Sequence, residues 1–178
     1  MAADPRSDAP GGQLGTHRAV SQLLFARVPH GLSKLLVSPA PARAPLVGGN
    51  LKTMETLAGT RSDLDTAGKI LFVEDTGEYL YSIDRMFWHL QRTGKLDRLA
   101  GLIVGGFKVK PDDAGEDFGH SLYDIVSERV RPYTYPVCFD FPVGHQKNNY
   151  ALKYGIPHTL EVQPASVRLT EVSASSLP

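Results

Sequence analysis

The sequence predicts an α/β fold, on three features of the chain between Leu46 and Val172. Short apolar runs alternate with segments whose apolar residues recur at helical spacing, as in a sheet covered by helices. The apolar runs are continuous, which is typical of strands buried on both faces of a parallel sheet. Two alternating segments near the end of the chain predict an antiparallel hairpin.

The first half of the predicted domain contains two helices around one strand. Asn50 is a plausible N-cap for a helix that stops near Gly59. The run Ile70–Val73 predicts a buried strand. A longer helix follows, which we expect Ser82 to cap and Gly94 to end.

The second half adds a strand around Leu102–Val104 and a helix that begins with the possible capping box of Ser121 and Asp124. The next predicted strand covers residues 135–141. The chain's one cysteine, Cys138, lies within it, so an intrachain disulfide is impossible and a buried, inert thiol is expected. The closing hairpin is predicted for residues 158–162 and 166–172, and the alternation of elements favours parallel pairing in the middle of the sheet.

Residues 1–44 differ in composition from the rest of the chain. They are rich in alanine, proline, glycine and arginine, and the prolines of SPAPARAP fix φ and remove backbone donors. We therefore expect a disordered or irregular leader over residues 1–44 and one folded domain over residues 45–178.

Composition limits the class of protein. The chain has 178 residues, of which 42% are hydrophobic, which is enough for one domain with a real core. Lysine plus arginine and aspartate plus glutamate number 19 each, so the charge gives no footprint for nucleic acid or an acidic membrane. The sequence shows neither a secretion signal nor an apolar run of membrane-spanning length. We expect a cytoplasmic protein that binds neither nucleic acid nor membrane.

Two predicted strand ends carry side chains suited to acid–base chemistry. Glu74 and Asp75 end the first buried strand, and His145 follows the third. If these strands are parallel, both ends lie at the edge of the sheet where α/β folds bind ligands. A carboxylate there would accept the Nδ1 proton and leave Nε2 as a base. Adjacent strand residues face opposite sides, so only one of the two acids can face His145, and the pattern does not choose between them.

Less specific interpretations fit the same residues. A carboxylate after a strand is often a cap or turn residue, and a histidine in a loop is often ordinary polar surface. The sequence has no HExxH, CxxC, GxGxxG or Walker motif, so we expect no metal and no organic cofactor. A metal-dependent hydrolase that uses His145 with Glu74 is the weaker alternative.

Four segments, taken in order, resemble the C-terminal domain of the LD-carboxypeptidases, a family of serine peptidases: LVGGNL, GKILFVEDTGEYLYSIDRMFWHL, GKLDRLAGLIVGGF and YPVCFDFPVGHQKNN. The resemblance extends from about Leu46 to about Val172. It implies a mixed β/α sheet unit of the swivelling β/β/α type with a C-terminal antiparallel hairpin.

The resemblance also implies a Ser–His–Glu triad. The family's glutamate stands in the ED element and its histidine in the GH element, which match Glu74 and His145. These two are therefore the expected catalytic residues, and the resemblance selects Glu74 over Asp75. The implied reaction is hydrolysis of an L–D amide bond, which releases a terminal D-amino acid from murein peptides during cell-wall recycling.

The nucleophile is unknown. In the family the serine comes from a separate N-terminal domain, for which residues 1–44 are too few. Ser62 precedes an aspartate but lies in a predicted loop without the strand–turn–helix context of a nucleophile, and Ser33 and Ser38 fall in the leader. We expect the chain alone to be inactive, and to associate with a separate N-terminal domain or as a homodimer. The alternative is a non-catalytic binding domain that retains a Glu–His half-site.

Overall fold

The computed structural model describes the backbone of residues 22–24, together with residues 40–164 and 166–172. Seven strands lie in this part of the chain: β1 (Gln22–Leu24), β2 (Ala42–Asn50), β3 (Ile70–Thr76), β4 (Gly101–Lys108), β5 (Val137–Cys138), β6 (Pro157–Gln163) and β7 (Ser166–Glu171). They form one mixed sheet in the order β1-β7-β6-β2-β3-β4-β5.

The pairing within the sheet confirms the predicted topology. Strands β2, β3, β4 and β5 pair in parallel. Strand β6 runs antiparallel to both β2 and β7, so β6 and β7 are the predicted hairpin, and β1 adds to β7. The carboxyl ends of β2, β3 and β4 therefore meet at one edge of the sheet, which is the edge where Glu74, Asp75 and His145 were predicted to lie.

The described residues also form three helices: α1 (Leu51–Leu57), α2 (Leu80–Arg92) and α3 (Leu122–Val130). Asn50 caps α1, and Ser121 with Asp124 forms the predicted capping box of α3. The predicted role of Ser82 was wrong. Helix α2 already begins at Leu80 after Tyr79, which makes no side-chain cap, so Ser82 lies inside the first turn.

Strand β2 is an element that the sequence did not reveal. The segment contains Pro45, Gly48 and Gly49, and proline and glycine are unfavourable inside a strand. For this reason the sequence pattern did not predict this nine-residue strand at the centre of the sheet. Gly48 is required there because a Cβ at this position would lie 1.9 Å from the carbonyl oxygen of Phe72 on β3. Close approach of two backbones thus explains glycine in a central strand.

The boundary predicted at residue 44 stays a prediction, because most of residues 1–39 lie outside the described residues. Within the predicted leader, the structure describes β1 and the first residues of β2.

The third predicted strand is shorter than expected. Only Val137–Cys138 pairs with β4, and Asp140 has a φ of 53°, which turns the chain out of extended conformation. Cys138 is buried and free, and burial raises the pKa of its thiol, as expected for an inert cysteine.

The two faces of β3 contribute to separate hydrophobic clusters. Leu71 and Val73 pack in the cluster formed with α1, α2 and α3, while Ile70 and Phe72 pack in the cluster that includes residues of β6 and β7. The alternation of a regular strand therefore continues along β3 and sets the direction of the polar residues that follow. No helix in the described ranges is long and apolar enough to cross a bilayer.

Candidate active site

The predicted glutamate and histidine meet at the carboxyl edge of the sheet. Glu74 lies near the end of β3 and pairs in register with Asn50, the last residue of β2. His145 follows Gly144, which forms a parallel bridge with Gly106 on β4. The distance of 71 residues in sequence between Glu74 and His145 is thus closed by parallel pairing.

A hydrogen bond joins the two side chains directly. The Nδ1 of His145 contacts the Oε2 of Glu74. The Glu74 side chain is only 12% exposed, whereas the His145 side chain is 46% exposed, so the buried carboxylate holds a ring that remains open to solvent. With the proton on Nδ1, the carboxylate fixes the tautomer in which Nε2 carries a lone pair. Within the described part of the chain, Nε2 has no hydrogen-bond partner.

Asp75 points to the other face of the sheet, as strand alternation required. Asp75 is 2% exposed, and its carboxylate accepts hydrogen bonds from the Asn50 side-chain amide at 3.0 Å and from the backbone N–H of Lys52 at 2.9 Å. Glu74 therefore faces His145, while Asp75 binds the first turn of α1.

A β-bulge lies opposite Glu74. Val73 pairs with Val104 and Asp75 pairs with Phe107, so the single residue Glu74 opposes both Gly105 and Gly106 on β4. Bulges of this kind redirect a strand and are frequent beside functional sites. No motif in the sequence marks these two glycines as part of a site.

The two bulge glycines admit the His145 loop to the edge of β4. A Cβ at Gly105 would lie 2.5 Å from the carbonyl oxygen of Val143, and the backbone N–H of Gly106 donates to that oxygen at 2.7 Å. The N–H of His145 in turn donates to the carbonyl of Gly106 at 3.1 Å. The backbone of His145 is thereby fixed against β4.

Polar side chains of the loop itself complete this support. Asn149 Oδ1 accepts a hydrogen bond from the N–H of Gly144 at 3.0 Å, and the Gln146 amide donates to the carbonyl of Phe141. These contacts explain why the apolar strand is followed by Gln146 and Asn149: their side chains satisfy the backbone of a tight loop.

Tyr154 is a neighbour of the pair that the sequence analysis did not single out. Its ring lies 6.5 Å from that of Phe72, centroid to centroid, and the residue as a whole is 46% exposed. Burial, followed by the charge of Glu74, raises the pKa of Tyr154, so the phenol is neutral. No spacing or motif marks this tyrosine, because it comes from the connection between the loop and β6.

None of the hydroxyl side chains in the described ranges hydrogen-bonds to His145. Ser62 lies in the exposed turn after α1, and its N–H donates to Thr60 Oγ1 at 3.2 Å. Because α1 starts beside Asp75 and runs back toward the beginning of β3, this turn follows the end of the helix remote from the site. Ser33 and Ser38 lie outside the described residues. Among the described residues, no group of three or more histidine, cysteine or acidic residues could hold a metal ion.

Comparison with protein families identifies the domain. The model of the LD-carboxypeptidase C-terminal domain matches residues 43–160, about two thirds of the chain. This range contains both Glu74 and His145.

Curated relatives match over the same region. A probable murein peptide carboxypeptidase of Bacillus subtilis is 35% identical over 121 residues, which are 66% of this chain and 36% of the relative. A murein tetrapeptide carboxypeptidase of Pseudomonas aeruginosa is 34% identical over 117 residues, which are 65% of this chain and 37% of the relative. The chain therefore spans little more than a third of the length of these relatives.

Solved structures share the fold. The muramoyltetrapeptide carboxypeptidase of Oxalobacter formigenes superimposes with a TM-score of 0.69 at 28% identity, over 86% of this chain and 50% of the other. The microcin C7 self-immunity protein MccF gives a TM-score of 0.65 at 23% identity, over 76% of this chain and 40% of the other, and shows the fold alone. By the match of the family model, this chain belongs to the LD-carboxypeptidase family, through the C-terminal domain of that family.

Proposed function

We propose that Glu74 and His145 form the base half of a serine carboxypeptidase site. The proposed reaction is hydrolysis of the L–D amide bond that holds the terminal D-amino acid of a murein peptide. The hydrogen bond between the His145 Nδ1 and the Glu74 carboxylate carries this proposal, because it leaves Nε2 as a base on an exposed ring. The names of the similar carboxypeptidases support murein peptides as the substrate class.

The proposed mechanism assigns each side chain a separate task. His145 Nε2 takes the proton of a serine hydroxyl as its oxygen attacks the scissile carbonyl carbon, and then gives that proton to the leaving amine of the D-amino acid. A water molecule repeats the sequence on the acyl-enzyme. The Glu74 carboxylate stabilises the imidazolium that forms at each step. The mechanism uses no metal and no organic cofactor.

The serine hydroxyl in this proposal comes from outside the described residues. Triad members act as a unit, and removal of the nucleophile alone costs on the order of a millionfold in turnover. We therefore expect the isolated chain to release no measurable D-alanine, and a polypeptide that carries the family's N-terminal domain to complement it. We further propose a cytoplasmic role in peptidoglycan recycling, which is what the resemblance to the LD-carboxypeptidases implies.

A binding domain without catalysis is the second candidate. The observation that favours it is that no described hydroxyl contacts His145. Such a domain would retain affinity for murein peptides while the Glu–His pair has no nucleophile to activate.

A two-component assay separates these functions. The purified chain is incubated with a murein tetrapeptide, alone and with the N-terminal part of the Bacillus subtilis relative, and released D-alanine is measured. Release only in the mixture, abolished by Glu74→Ala or His145→Ala, supports the proposed site. Release that survives both substitutions together would contradict it.

Release by the chain alone that disappears in Ser62→Ala would identify Ser62 as the nucleophile. Peptide binding without release in any mixture would favour the binding domain.

A further inference from the structure

We propose that Asp75 is a positioning residue for the Glu74–His145 pair: by anchoring the end of β3 to the first turn of α1, it holds Glu74 in the orientation that meets the imidazole. This inference rests on the proposed function for its catalytic consequence. Its structural part concerns the described residues alone and can be measured without a substrate.

The Asp75 carboxylate makes hydrogen bonds to three elements of the fold. One oxygen accepts from the Asn50 amide at 3.0 Å and from its neighbour's N–H, that of Thr76, at 2.7 Å. The other accepts from the N–H of Lys52 at 2.9 Å. These contacts join the last residue of β2, the last residue of β3 and the first turn of α1.

Burial makes these hydrogen bonds necessary. Asp75 is only 2% exposed, and within the described residues its carboxylate bonds to an amide and two backbone N–H groups rather than to a lysine or arginine. A buried carboxylate depends on such donors to remain stable. A side chain that cannot accept all three hydrogen bonds would leave buried donors without a partner, which destabilises this arrangement of strand ends.

The anchor lies next to the catalytic carboxylate in two ways. Asp75 directly follows Glu74, and Asn50, its side-chain partner, is the residue in register with Glu74 across the β2–β3 pair. On the other side of β3, Glu74 opposes two residues of the bulge rather than one, so regular pairing with β4 is interrupted at this residue. The Asn50–Asp75 contact supports β3 at the point where its regular pairing with β4 is interrupted.

Asn50 has two functions, which makes the anchor separable from the helix cap. Its Oδ1 accepts from the N–H of Thr53 at 3.0 Å, while its amide donates to Asp75. Asn50→Ser keeps a cap acceptor but is too short to supply the amide donor. The paired change of Asn50→Asp with Asp75→Asn exchanges donor and acceptor across the same contact.

The test reads the tautomer of His145 by long-range 1H–15N correlation NMR of the folded chain at a pH where the ring is neutral. Free neutral histidine prefers the Nε2–H tautomer, so the Nδ1–H tautomer reports the contact with Glu74. We expect Asp75→Asn to lose most of the Nδ1–H population and Asn50→Ser to lose part of it. The paired exchange should recover part of the loss, because it restores the contact between positions 50 and 75 but leaves the N–H of Lys52 or of Thr76 without its carboxylate acceptor. Asp124→Asn, which removes a carboxylate from the start of α3, is the control and keeps the wild-type tautomer.

An unchanged Nδ1–H tautomer in folded Asp75→Asn would overturn the inference. If Asp75→Asn does not fold, Asn50→Ser decides in the same way: an unchanged tautomer overturns the positioning role, and a reduced Nδ1–H population supports it.

The two-component assay supplies the catalytic readout. Asp75→Asn is expected to lower kcat at least about tenfold with little change in KM, since misplaced groups reduce turnover more than binding. A tautomer that responds as expected in a chain that never supports D-alanine release would refute the proposed function and leave the positioning role intact.

Discussion

Glu74 and Asp75 are adjacent acids that serve opposite faces of the sheet. Alternation along β3 turns one toward His145 and the other toward α1, and burial makes each depend on its hydrogen-bond partners. The pattern of the sequence predicted this division but could not say which acid faces the histidine. The family resemblance selected Glu74, and the side-chain geometry agrees with that choice.

Gly144 is the residue on which the closeness of the pair most depends. Its φ is 97°, and a Cβ there would lie 2.7 Å from the Cβ of Glu74. Gly144→Ala should therefore cost about 1–3 kcal/mol in the free energy of unfolding and push Glu74 away from His145. Urea unfolding measures the first effect, and the His145 tautomer measures the second.

Gly59→Ala is the matched control for Gly144→Ala. Gly59 has a φ of 77°, but a Cβ there would have no neighbour within 4 Å. It shares the backbone strain and lacks the clash, so it should cost about 1 kcal/mol and leave the tautomer unchanged. Equal losses in the two variants would show that the contact with Glu74 contributes nothing.

At the level of elements, the parallel strands bring Glu74 and His145 to the same edge of the sheet, and the glycines determine how closely the neighbouring backbones approach. The helices with strong caps and the buried strands could be predicted, because capping and apolar periodicity are local properties. Strand β2 and the bulge opposite Glu74 could not, because the conformations of Gly48, Gly105 and Gly106 are set by contacts with residues distant in sequence. Judged by local propensity alone, glycines at these positions predict turns rather than strands. The early start of α2 could not be predicted either, because Tyr79 makes no side-chain cap that would mark it.

Gly48 and Gly49 provide a test within one strand. Gly48→Ala would place a Cβ 1.9 Å from the Phe72 carbonyl oxygen and should separate β2 from β3, at a cost above about 3 kcal/mol. Gly49 has a φ of 147°, but its Cβ would have no neighbour within 4 Å, so Gly49→Ala should cost only about 1–2 kcal/mol. Urea midpoints compare the two, and a larger loss for Gly49→Ala would contradict the close packing of β2 on β3.

At the scale of the whole molecule, the mixed sheet combines a parallel half that carries the site with an antiparallel half that carries a buried histidine. His158 on β6 is 2% exposed, its Nδ1 donates to the carbonyl of Ile156 at 3.0 Å, and Glu171 and Lys153 are its charged neighbours. Burial is the main cause that lowers the pKa of His158 in the folded chain. Burial of neutral histidine links folding to pH.

The sign of that linkage gives a prediction for global stability. The unfolded chain binds a proton at His158 near pH 6.5, while the folded chain resists it, so the free energy of unfolding should fall as the pH drops below about 6.5. His158→Asn, which retains a donor for Ile156, should show a shallower loss. Urea midpoints at pH 7.5 and pH 5.5 compare the two chains, and parallel losses would exclude His158 as the source.

The tautomer of His145 in the wild-type chain tests the central claim most directly. The claim is that the Glu74 carboxylate accepts a hydrogen bond from the Nδ1–H of His145 and so leaves Nε2 as the base. Long-range 1H–15N correlations should show the Nδ1–H tautomer in the wild-type chain and the Nε2–H tautomer in Glu74→Ala. A wild-type ring protonated on Nε2, or a ring that does not respond to Glu74→Ala, would contradict the account.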